Sequence, residues 1–210
     1  QPKEYHMSRL KYKIPVTMEN NDEKIITIEA PRLESVPQGN KIYFYNEINK
    51  ETILNLNKQL DDVSKSIKMV QFSHNLLTPP AIELHICSDG GDVLAAMASV
   101  DKIINSKVPI HTYCEGVVAS CATLLSVVGH RRFITKNSCM LIHQVSSGLW
   151  GNYAEFKDEI KNLNLIMTLI KSVYLKRTRM KTATLDDILI HDVFFSSKES
   201  LKFGLVDEIL

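Results

Sequence analysis

The sequence predicts an α/β domain with helices covering a sheet, and three observations carry that expectation. Strand-like apolar runs alternate with segments whose apolar residues recur every three or four positions. Glycines stand at turns where a strand run gives way to a helix run. The balance of 44% hydrophobic and 23% charged residues over 210 positions suits one sizeable core.

Taken in order, residues 1–40 read as an arm whose one strand signal is Lys24–Ile28, with Pro15, Pro31 and Pro37 as interruptions. The domain proper is expected over 41–210. Lys41–Tyr45 reads as a strand. Thr52–Ile67 carries Ile53, Leu56, Leu60 and Val63 at helical spacing. Ala81–Cys87 is the next strand, followed by Ser88-Asp89-Gly90-Gly91-Asp92 and a helix with Val93, Met97, Val100 and Ile104 on one face. Pro109–Cys114 is a strand, and Gly116 is expected to turn the chain into an apolar helix over about Val118–Val128. Arg132–Ile134 and Cys139–His143 are short strands. Tyr153–Tyr174 is the longest helical pattern, with Phe156, Ile160, Leu163, Ile166, Ile170 and Val173 forming a stripe. A helix near Leu185–Ile190, strand-like Val193–Phe195, a short helix from Ser197 and strand-like Leu205-Val206 complete the chain.

Bulk properties exclude some classes. With 25 basic against 24 acidic side chains, no charge excess points to nucleic acid. No apolar run reaches the roughly 18 residues of a membrane span, and Gln1–Lys13 lacks the apolar stretch of a secretory signal, so a cytoplasmic location is expected. Cys87, Cys114, Cys121 and Cys139 lack metal-ligand spacing and read as reduced thiols among apolar neighbours, a redox role being the sharper alternative. Neither a metal nor a cofactor is expected.

Two glycine turns, Gly90-Gly91 and Gly116, precede helix patterns, where unpaired amides suit an oxyanion or phosphate; taken alone, Gly-Gly before a helix reads first as a simple tight turn. Ser120 sits in the small-residue stretch Gly116–Ala122 and singly reads as a cap or packing residue. His143 ends an apolar strand, where a structural histidine is the plain account. Asp192 precedes Val193-Phe194-Phe195, as a turn residue would. Together the three supply a nucleophile, a base and a carboxylate that orients the base, all at element ends.

From Ile82 onward these residues fall into motifs that resemble one family. Ile86–Gly91 resembles an Asn-Ser-Pro-Gly-Gly turn, and Gly116–Ser120 resembles Gly-x-Ala-Ala-Ser. Asn137–Gln144 is similar to Asn-Ser-x-x-Met-Ile-His-Gln, Asp192-Val193-Phe194 to Asp-x-Phe, and Phe203–Asp207 to Tyr-Gly-Leu-Val-Asp. Five motifs in order over about 130 residues resemble the proteolytic subunit of the Clp protease, the ClpP-type serine peptidases. Asp89 stands where the family has proline, Val118 where it has a small alanine, and Val145–Gly148 differs from Pro-Leu-Gly-Gly.

The resemblance implies a ClpP/crotonase-like fold of strand-turn-helix units with a protruding handle at about 144–180. It implies a serine endopeptidase with Ser120 as nucleophile, His143 as general base and Asp192 as third triad member. The backbone amides of Gly91 and Cys121 would form the oxyanion hole. Asp92 and Val93 would flank an extended substrate on one side, with Val145 and Ser146 on the other. It further implies a homo-oligomer of two stacked heptameric rings (a tetradecamer), unfolded polypeptide substrates, and a hexameric AAA+ unfoldase like ClpX or ClpA that engages axial loops within 1–40. Two alternatives stay open: an inactive structural ring subunit, and a crotonase-like acyl-CoA enzyme.

Overall fold

The computed structural model describes residues 11–17, 23–29, 39–148 and 150–210. It divides into two compact units, 1–36 and 37–210. In the smaller unit, β1 (Lys11–Thr17) and β2 (Glu23–Glu29) pair antiparallel, with Tyr12 opposite Ile28 and Pro15 opposite Ile25. β2 covers the expected strand Lys24–Ile28. β1 was not expected, because Pro15 reads as a breaker; a ribbon strand tolerates proline where its missing N–H would face outward. The expected interruptions at Pro31 and Pro37 lie outside the described residues, as does Leu149 of the expected handle.

In the larger unit the chain runs β3 (Lys41–Phe44), α1 (Lys50–Ser73), β4 (Ile82–Ser88), α2 (Val93–Ile104), β5 (Ile110–Ala119), α3 (Ala122–Val127), β6 (Arg131–Ile134) and β7 (Cys139–Leu141). It continues through α4 (Tyr153–Arg177), α5 (Thr182–Leu189), β8 (Phe194–Ser196), α6 (Ser197–Phe203) and β9 (Glu208–Ile209). Strands β3, β4, β5, β6 and β9 lie side by side and all parallel. Parallel neighbours need crossovers, and α1, α2 and α3 supply them between successive strands. This is the α/β fold class expected.

Period-two alternation sorts the sheet's faces. Ile42, Phe44, Leu84, Ile86, Ile110 and Cys114 are buried in the core. The intervening Tyr43, His85, Tyr113 and Phe133 are in register across β3–β6 and stack with ring centroids 4.7–4.8 Å apart. His85 Nδ1 lies 2.8 Å from Glu115 Oε1, and Glu115 also accepts from the Tyr45 hydroxyl.

Helix ends follow local chemistry. Asn49 and Asn152 each close a capping box, with Thr52 and Glu155 respectively, and so start α1 and α4. In α2 the buried face is Ala95, Ala96, Ser99, Val100 and Ile103. Of the expected stripe, Val100 is buried, Val93 and Met97 are half-buried against the core, and Ile104 is exposed.

Two expected elements differ. Gly116 does not turn β5 into a helix: it is a bulge at φ +62°, and β5 continues to Ala119. Ile86 pairs with Cys114 but Ser88 with Val118, so β5 carries two extra residues there. The helix begins only at Ala122. Near the C-terminus, Leu205 and Val206 are fully buried in a turn, and the last strand is Glu208–Ile209.

Candidate active site

The bulge at Gly116 gives β5 two sets of neighbours. Before it, His111–Cys114 pair with β6; after it, Val117–Ala119 pair with β7, placing Ala119 beside Leu141. Ser120 and His143 therefore both lie just past the carboxyl ends of parallel strands, where open α/β sheets place their ligand crevices. β8 runs antiparallel to β7, with Leu141 opposite Phe194. Continuing that register by two residues makes 143 and 192 cross-strand partners, 49 positions apart in the chain.

The side chains complete what the register begins. Ser120 Oγ is 2.9 Å from His143 Nε2, and His143 Nδ1 is 2.6 Å from Asp192 Oδ1. With Nδ1 donating to the carboxylate, Nε2 accepts the serine proton. The imidazole is 29% exposed but the carboxylate 78% exposed, so solvent screens Asp192 more than a buried orienting carboxylate.

Ser120 itself has φ +54°. A non-glycine residue in the left-handed region costs roughly 1–2 kcal/mol, and such residues cluster where a side chain must be aimed. Its N–H donates to Leu141 O at 2.8 Å, and its carbonyl accepts from Thr123 N–H at 3.1 Å and Thr123 Oγ1 at 2.6 Å. Three hydrogen bonds thus hold the strained residue.

Across from it, Gly90-Gly91 meets the segment before α1. Ile48 N–H donates to Gly90 O at 2.7 Å, and Asp92 N–H donates to Ile48 O at 2.8 Å. That bridge uses the groups on either side of Gly91 and leaves the Gly91 amide out. Gly91 has φ +141°, and a Cβ there would sit 2.2 Å from Ile48 O, so only glycine fits. Burial pushes the Cys121 thiol up to about 11, while the amides of Gly91 and of Cys121 itself both act on it in the opposite sense. Cys114 is likewise pushed up to about 12 by burial. Cys114 and Cys121 are buried as expected, whereas Cys87 and Cys139 are only half-buried.

A cavity of about 290 Å³ opens next to Ser120 and His143. Gly91, Asp92, Val93, Val145 and Ser146 all border it. Asp92 is also the N-cap of α2, its Oδ1 accepting from Leu94 N–H at 2.9 Å and Ala95 N–H at 3.1 Å. The inner wall comes from Leu124 of α3 and from Leu163, Ile166, Ile170 and Tyr174 of α4. Sequence reading placed part of that α4 stripe on a handle but did not see it as cavity wall; spacings of three and four mark a face without saying what it meets. It also missed Glu159, which borders the cavity and accepts from Ser147 Oγ at 2.8 Å, and the Thr123–Tyr174 pair. A hydroxyl in an apolar helix gives no signal until its partner is placed.

Among the described residues no group of three or more His, Cys, Asp or Glu could hold a metal ion. Among them also, no helix is long and apolar enough to cross a membrane.

The chain is similar to known proteins in sequence and in fold. The chain is 30% identical over 184 residues to the ATP-dependent Clp protease proteolytic subunit 2 of Streptomyces avermitilis, covering 85% of this chain and 92% of that one. Its fold matches that of a mutant ClpP1 from Listeria monocytogenes with a TM-score of 0.70 at 23% identity, over 81% of this chain and 91% of the other. The family model described as Clp protease matches residues 37–210, the whole of the larger unit. A match of that extent, together with the Streptomyces relative, decides membership: the chain belongs to the Clp protease family.

Proposed function

We propose that this chain is a serine endopeptidase subunit that hydrolyses peptide bonds of unfolded polypeptides within a ring-shaped chamber. The observation that carries the reading is the unbroken contact from Ser120 Oγ through the His143 ring to Asp192 Oδ1, beside a cavity bordered by Gly91 and Cys121.

In this mechanism His143 Nε2 takes the Ser120 proton as Oγ attacks the scissile carbonyl carbon. Asp192 keeps the proton on Nδ1 and stabilises the imidazolium that forms. The carbonyl oxygen, now negative, accepts from the amides of Gly91 and Cys121, each such donor contributing about 2.7–4 kcal/mol at the transition state. The imidazolium gives its proton to the leaving amine. Water then attacks the acyl-enzyme with His143 again as base, releasing the acid product and restoring Ser120.

Substrate lies extended between Asp92-Val93 and Val145-Ser146, recognised largely through its main chain, with one side chain in the apolar cavity. The chains assemble as two stacked heptameric rings through α4. Part of its expected apolar stripe supports this: Phe156 is 43% exposed and Ile160 58%, an uncovered patch that an isolated chain would leave in water. The arm within 1–40 serves an AAA+ unfoldase. Four free cysteines fit a reducing, cytoplasmic compartment.

An active-site phosphonate tests the reading. The wild type is expected to carry one adduct, mapped to Ser120 by mass spectrometry, with Ser120→Ala unlabelled. Acyl-CoA turnover without peptide cleavage would instead favour the crotonase-like alternative, and an unlabelled wild type the inactive ring subunit.

A further inference from the structure

A hydrogen-bonded chain unused by the mechanism runs into the site from behind. Tyr174 of α4 is almost wholly buried, and its hydroxyl lies 2.5 Å from Thr123 Oγ1. Thr123 Oγ1 in turn lies 2.6 Å from the carbonyl oxygen of Ser120. The protons can be assigned without ambiguity. The Ser120 carbonyl only accepts, so the one hydroxyl proton of Thr123 goes to it. Tyr174 must then donate to Thr123. Burial pushes the Tyr174 phenol well above its usual range, which keeps that proton in place.

The Ser120 carbonyl and the Cys121 N–H belong to the same peptide unit. That unit is planar and trans, so the two groups point in opposite directions and move as one body. Anchoring the carbonyl therefore aims the amide proposed to meet the oxyanion. Donation to the carbonyl also polarises the peptide and makes its N–H a stronger donor, as in any cooperative chain. The same carbonyl accepts from the Thr123 backbone N–H at 3.1 Å, and the Thr123 hydroxyl adds a second, shorter hold on a peptide whose serine sits at φ +54°.

We infer that Tyr174 and Thr123 are positioning residues for the oxyanion donor, acting through the Ser120–Cys121 peptide. The inference rests on the serine peptidase reading and adds a proton-ordered support behind it. It predicts a loss in the transition state rather than in substrate binding.

The test compares Thr123→Val, Thr123→Ser, Tyr174→Phe and the double variant Thr123→Val/Tyr174→Phe in the full chain. The readouts are kcat and KM on a fluorogenic peptide, inhibition by a peptide boronate as transition-state analogue, and Tm. Thr123→Val is expected to lower kcat about 10- to 100-fold with KM within two-fold, and to weaken boronate binding in parallel. Thr123→Ser is expected to stay near wild type. The double variant is decisive, and serves even where Thr123→Val alone fails to fold. It leaves no orphaned hydroxyl, so its Tm is expected to recover toward wild type while kcat stays low. A double variant with wild-type kcat and boronate affinity overturns the inference. A wild type that phosphonate does not label at Ser120 overturns the peptidase reading, and the relay's catalytic meaning with it.

Discussion

Replacing Gly91 by alanine is the sharpest single perturbation of the proposed oxyanion hole. At φ +141° a side chain is already strained, and the new Cβ would stand 2.2 Å from Ile48 O and 3.1 Å from Ile48 N. Both atoms belong to backbone, so no rotamer change relieves the clash. The bridge to Ile48 must open, giving up hydrogen bonds of 2.7 and 2.8 Å. Backbone strain of about 1–3 kcal/mol and two lost bonds at about 1 kcal/mol each give a destabilisation of about 3–5 kcal/mol. For a domain of this size that lowers Tm by about 6–20 °C. Catalysis should suffer separately: displacing one oxyanion donor costs about 100- to 1,000-fold in kcat. The assay is peptide turnover at 25 °C, well below the lowered Tm, with assembly checked by sedimentation. A variant that loses stability as expected yet keeps kcat within three-fold of wild type would refute the assignment of the Gly91 amide.

Two further outcomes follow from other parts of the fold. Asp207 accepts from Arg132 Nη2 at 2.5 Å, and Arg132 Nε and backbone N–H both lie 3.0 Å from its other oxygen, which holds its carboxyl below the usual range. A depressed folded pKa contributes stability above the unfolded value near 3.9 that is lost as pH falls through the folded value; Asp207→Asn should therefore cost about 1 kcal/mol at pH 7, allowing for solvent screening, and flatten the acid limb of a Tm-versus-pH curve below about pH 4, whereas an unchanged limb refutes the linkage. On α4, Ile160→Glu with Leu165→Glu places charge on residues 58% and 61% exposed in the single chain; sedimentation should show smaller particles with unchanged helix content, and full-size particles would refute α4 as the assembly surface.

Much of the fold was legible because the elements are strongly periodic. α4 and β4 announce themselves by spacing alone, and α1 by a stripe of Ile53, Leu56, Leu60 and Val63, all buried. The bulge at Gly116 was not legible, since glycine after an apolar strand reads equally as a turn; only the pairing of Val117–Ala119 with β7 distinguishes them. β9 was misplaced because Leu205 and Val206 are more apolar than Glu208-Ile209, yet burial in a turn demands apolar residues as firmly as a strand does. At the site, Ser120, His143 and Asp192 were legible through motif resemblance, not through any local signal. Their meeting depends on the register of β5, β7 and β8, which one-dimensional patterning does not encode. Thr123 and Tyr174 lay beyond reach for the same reason.

The site draws on two sources that respond differently to strain. Strand ends fix the contacts among Ser120, His143 and Asp192: a one-residue slip of β8 would move Asp192 off the position facing His143, so sheet register and the proposed catalytic geometry stand or fall together. The cavity instead depends on α4, 25 residues and about 37 Å long. That helix has neither proline nor glycine to absorb a bend. Its C-terminal end is clamped, with Arg132 Nη1 donating to Arg177 O at 2.5 Å and to Gly204 O at 2.8 Å, and Tyr174 tied to Thr123. Its N-terminal half carries the exposed Tyr153 and Ile160. A rigid α4 pivoting about that clamp would move Glu159 and Leu163 on the cavity more than Tyr174 beside Thr123. Contacts made by the exposed half of α4 should therefore reshape what the cavity accepts before they disturb the chemistry of Ser120.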